Sequence, residues 1–64
     1  MFAKFDKLLE EKGITPYRVA KEIGISPVVF TDWKNGKSTP KLDKLIKIAN
    51  YLGVTLEELI KEDD

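Results

Sequence analysis

Two helix-start signals stand eleven residues apart, Thr15-Pro16 and Ser26-Pro27, with Gly24 between them, and that spacing leaves few folds open. Thr and Ser side chains accept the orphan N–H groups of a first helical turn. Proline is tolerated just after them because an N–H there would have no helical partner. Val19, Ala20 and Ile23 then recur at helical spacing, and Gly24 stands where a left-handed C-cap is wanted. After Ile25 the second start follows at once. Phe30 and Trp33 form the inward face of a helix over 27–35, which Asn35-Gly36 ends. Ala20 is small where the two helices cross. The stretch 16–35 thus reads as a helix-turn-helix.

The rest of the chain supplies a body for that unit. Phe2, Phe5, Leu8 and Leu9 predict a first helix over Phe2 to Lys12, stopped by Gly13, with Ile14 plugging the gap before Thr15. A polar loop, Gly36 to Pro40, follows the second unit helix. Lys41 to Leu52 reads as a fourth helix with Leu42, Leu45, Ile48, Ala49 and Leu52 inside and lysines outside, capped by Gly53. Thr55 opens a short fifth helix through a capping box, in which Glu58 reaches back to the Thr55 backbone. Leu56, Leu59 and Ile60 give that helix its apolar side, and Glu62 to Asp64 are expected to fray. The expected fold class is all-α: one compact five-helix domain over 1–64.

Composition narrows the chemistry. A chain of 64 residues buries only about 60% of the surface its unfolded form exposes, so the core must be economical. Cysteine and histidine are both absent, which removes disulfides, thiolate metal sites and the commonest neutral-pH general base. The acidic pairs Glu10-Glu11 and Glu57-Glu58 are sequence neighbours that point apart on a helix. No enzymatic activity, cofactor, metal or small-molecule ligand is expected. No apolar run is long enough to span a membrane and no signal peptide is visible, so a soluble cytoplasmic protein is expected.

Net charge is zero, but the charges are segregated. Residues 13–50 hold seven basic side chains (Arg18, Lys21, Lys34, Lys37, Lys41, Lys44 and Lys47) against Glu22, Asp32 and Asp43, a net +4. Residues 51–64 hold Lys61 against five acids, a net −4. A basic face around the helix-turn-helix suits phosphate, although solvated charged faces would look the same.

With Ala20, Gly24-Ile25-Ser26, Phe30, Trp33, Asn35-Gly36, Pro40, Leu45, Ala49 and Leu52-Gly53-Val54 in this order, the chain resembles the Cro/CI-type helix-turn-helix domain, or XRE family, over roughly Phe5 to Ile60. The resemblance implies a lambda-repressor-like fold and sequence-selective binding of a double-stranded DNA operator, often as a homodimer, in a phage or bacterial repressor. It also implies base contacts from Pro27, Val28, Val29, Thr31 and Asp32 at the start of the third helix. Implied phosphate contacts come from Thr15, Tyr17 and Ser26, from Lys34, and from the loop residues Asn35, Gly36, Lys37, Ser38 and Thr39, with backbone N–H groups near Asn35 and Gly36 taking part.

The sequence departs from many relatives at the reading surface. Where they present bidentate polar side chains, Pro27, Val28 and Val29 can offer apolar contact with thymine methyl groups, and Asp32 can accept from a cytosine amino group. Val29 stands equally well in the core beside Phe30 and Trp33, and Asp32 equally well in solvent. Trp33 is expected to pack under the third helix. An Arg–Glu pair that some phage repressors hold between the first and third helices is replaced by Leu9 and Lys34, so no charge is left buried alone. The apolar edge and zero net charge keep a second reading open: a helix-turn-helix that grips a protein, as antitoxin or anti-repressor partners do. Whether the chain is whole or the DNA-binding part of a longer regulator stays open as well.

Overall fold

The computed structural model describes residues 2–61, and within them the chain forms five helices and no strand: α1 (Phe2–Lys12), α2 (Pro16–Ile23), α3 (Val28–Lys34), α4 (Leu42–Leu52) and α5 (Leu56–Ile60). The expected fraying of Glu62 to Asp64 lies outside the described residues.

Three helices end in one local device. The N–H of Ile14 donates to the Leu9 carbonyl, that of Ile25 to Ala20 and that of Val54 to Ala49, each reaching back five residues from the position after a glycine. This closure satisfies carbonyls the helix end leaves orphaned and turns the following apolar side chain inward. Ile14, Ile25 and Val54 all pack against the core. At Gly24 the backbone is left-handed, φ 77°, a conformation in which a Cβ is strained, so glycine is needed at the corner between α2 and α3.

Phe5 and Leu9 of α1, Val19 and Ala20 of α2, Phe30 and Trp33 of α3, Leu45, Ile48, Ala49 and Leu52 of α4 and Leu59 of α5 make one continuous core. Close backbone packing joins α4 to α2 and α5, and α5 to α1. The third helix is held differently, through aromatic side chains. Phe5 stacks on Phe30 at 4.8 Å between ring centroids and meets Trp33 at 5.1 Å, while Phe2 meets Trp33 edge-on at 5.4 Å. Such pairs contribute about 0.5–1.5 kcal/mol each beyond area burial. A two-turn helix is not stable alone in water, so these rings make α3 a helix at all.

Several local expectations need correction. The third helix begins at Val28 rather than Pro27, because its opening turn is wound more tightly than an α-helical one. Its first turn is closed by three-residue bonds from Val29 to the Ser26 carbonyl and from Phe30 to Pro27. Ser26 Oγ accepts from the Val28 N–H at 3.3 Å, so it still caps the turn. The fourth helix starts at Leu42, after Lys41, and Leu42 is 61% exposed instead of facing inward. Pro40 lies in the loop as expected and is buried at that corner. In α5, Thr55 Oγ1 accepts from the Glu58 N–H at 3.1 Å, but the return bond from the Glu58 side chain is not formed, and Ile60 is partly exposed.

Candidate nucleic-acid interface

The outward surface of α3 follows from which of its residues the core takes. Phe30 and Trp33 point inward, with Trp33 only 6% exposed, which puts this side chain in the core as expected. Helical geometry then sends Pro27, Thr31 and Lys34 to one flank and Val28 and Asp32 to the other. Pro27, Val28, Thr31 and Lys34 are exposed, Val28 at 59%, whereas Val29 and Asp32 are half-buried. Val29 therefore serves both core and surface.

Two open recesses border this ridge. One is lined by Phe2, Pro16, Tyr17, Pro27, Phe30, Thr31 and Lys34, and joins the start of α2 to one flank of α3. Tyr17 and Lys34, both exposed, are among its lining residues. Thr15 caps α2 by accepting from the Arg18 N–H at 3.2 Å. The other recess, of about 370 Å³, lies between Ser26, Val28, Val29 and Asp32 on one side and Ser38, Thr39, Pro40, Lys41 and Lys44 on the other. The structure thus splits the sequence-predicted residues: Tyr17, Thr31 and Lys34 gather on one side, and Val28, Val29, Asp32, Ser38 and Thr39 on the other.

The loop after α3 is closed by its own backbone. The N–H of Asn35 donates to Thr31, that of Gly36 to Trp33, and those of Lys37 and Ser38 both to the Asp32 carbonyl, at 2.8 and 3.4 Å. The expectation that N–H groups near Asn35 and Gly36 point at phosphate needs changing, because they are engaged in closing the helix end. What the loop leaves outward are the side chains of Asn35, Lys37, Ser38 and Thr39, all exposed. Lys41 and Lys44 were missed as recess residues. Their three-residue spacing at the start of α4 was visible, but the return of the loop beside α3 was not.

Leu9, at the position of the lost first-helix arginine, is 1% exposed and packs in the core, while Lys34 is free on the surface. No buried side-chain nitrogen or oxygen among the described residues lacks a partner. The one ion pair among them, Arg18 with Glu22 at 3.9 Å, is exposed on α2 and contributes little. No helix of the described residues is long and apolar enough to cross a membrane.

The chain is 26% identical to the HTH-type transcriptional activator BcrR of Enterococcus faecalis over 61 residues, 95% of this chain and 30% of that protein. It is 27% identical to the cryptic phage CTXphi transcriptional repressor RstR of Vibrio cholerae over 62 residues, 97% of this chain and 56% of the relative. It is 33% identical over 58 residues to the SPbeta prophage-derived uncharacterized HTH-type transcriptional regulator YonR of Bacillus subtilis, covering 91% of this chain and 54% of the relative. The chain therefore spans between about a third and somewhat over half the length of these relatives. No solved structure matches it. The model of the Cro/C1-type HTH DNA-binding domain matches residues 4–64, the span that holds α2, α3 and the loop that follows, and the chain belongs to that family.

Proposed function

We propose that this chain binds duplex DNA with α3 in the major groove and regulates transcription, as a repressor of phage or bacterial type acting in the cytoplasm. The observation that carries the reading is the α3 ridge: its two aromatics are buried, Val28, Thr31 and Lys34 are exposed, and cationic and hydroxyl side chains border it on both sides. Seven residues make a helix of about 10 Å, short enough to lie within a groove about 12 Å wide. In this reading Pro27, Val28, Val29, Thr31 and Asp32 meet base edges. Thr15, Tyr17, Ser26, Lys34, Asn35, Lys37, Ser38 and Thr39 meet phosphates and set register, while Gly36 supplies the turn. One such helix reads about four base pairs, too few for selectivity in a genome, so a homodimer on a two-fold operator completes the proposal.

Binding of random duplexes measured across a salt series tests this. Affinity should fall steeply with salt, and Lys34→Ala or Lys37→Ala should each reduce the slope by about one. Retention of DNA that ignores both lysines would overturn the reading. The exposed apolar edge at Val28 favours a second reading, in which α3 grips a protein and duplex DNA is not retained at any salt.

A further inference from the structure

We infer that the recess between α3 and the 38–44 segment selects 5-methylcytosine in duplex DNA, an inference that rests on the DNA-binding reading above and names the base that reading leaves open. Val28 and Asp32 are four residues apart on one helix, so their side chains are surface neighbours about 5–6 Å apart at Cβ, and Val29 completes the apolar wall of the same recess. The Asp32 carboxylate forms neither an ion pair nor a hydrogen bond with any described residue, so its acceptor capacity is unspent. A base edge that suits this pair must show a methyl group and a hydrogen-bond donor side by side.

In the major groove, thymine has the methyl but sets an acceptor, O4, beside it, which the carboxylate repels. Cytosine has the N4 amino donor but no methyl, adenine has a donor without a methyl, and guanine presents acceptors. Cytosine methylated at C5 carries both groups on neighbouring ring positions. Repulsion of the carboxylate by nearby phosphates is the objection to any acid in a DNA interface. Here Lys41 and Lys44 on the facing wall set two ammonium groups against one carboxylate.

The test competes two barcoded pools of random duplexes, one synthesised with cytosine and one with 5-methylcytosine, for the full chain at moderate salt. The methylated pool should be recovered about fourfold over the other, the effect of burying one methyl group, with methylcytosine fixed at one position of the enriched sequence. Val28→Ala should bring the recovery ratio close to one, and Asp32→Ala should let thymine replace methylcytosine at that position. Val28 is exposed and Asp32 is half-buried outside the core cluster, so neither change opens the core and the variants fold, which circular dichroism verifies. Equal recovery of the two pools by the unaltered chain overturns this inference and leaves DNA binding standing. A methyl preference that survives Val28→Ala also overturns it. Retention of neither pool overturns the DNA-binding reading together with it.

Discussion

The third and fourth helices solve the same packing problem in opposite ways. The fourth helix, eleven residues long, gives the core four aliphatic or small side chains at close spacing and packs its backbone near two other helices. The third, seven residues long, gives it only Phe30 and Trp33, and those two rings hold it at a distance from the body. Burial is shared among many positions in one helix and concentrated in two in the other. The consequence is a division of labour along α3: stability depends on two residues, and the side chains between them are free to be chosen for what they touch outside.

The sharpest way to break that comparison is to remove a ring. Trp33→Ala should destabilise the protein by about 3–5 kcal/mol in chemical denaturation, comparable with the whole stability of a domain this small. A loss below about 1 kcal/mol would mean that the aromatic anchoring of α3 is dispensable. Next in size is the cap of the preceding helix. Thr15→Ala should cost about 1 kcal/mol, since the Arg18 N–H loses its acceptor. Ser26→Ala should cost less, because its 3.3 Å bond reaches only two residues on, to the first N–H of α3, and does not have the three-residue span of a helix cap. At the small end, Leu42→Ala on α4 and Val28→Ala on α3 should each change stability by no more than about 0.5 kcal/mol, both being largely exposed. The two then part: under the proposed function, Val28→Ala changes base preference and Leu42→Ala does not. A shared effect on DNA selection would erase the distinction between body and reading helix.

Much of this was readable from residue order alone, because helix ends here carry strong chemistry. Gly24 and Gly53, each followed by a β-branched apolar residue, and Thr15 and Thr55 at the starts, mark boundaries that hold within a residue or so. The core positions at spacings of three and four were legible for the same reason. The failures share a cause as well. Leu42 lies in phase with Leu45 and Ala49, yet periodicity cannot say where the body of the protein stops, and Pro40 covers the corner instead. Likewise, nothing in the residue order shows that 38–44 comes back beside α3, so Lys41 and Lys44 were legible as part of the basic segment but not as neighbours of α3. The closure of Asn35 to Ser38 onto α3 was equally hidden, since donors and acceptors are present on every residue and only the path of the chain pairs them.

The double acceptance at the Asp32 carbonyl has a consequence for how binding preference can change. Main-chain atoms, common to every amino acid, fasten the loop to the helix at that point, while the side chain at the same position faces the recess. Residue 32 can thus be exchanged to alter what is recognised without loosening the segment that grips alongside it, so selectivity and attachment can evolve one substitution at a time.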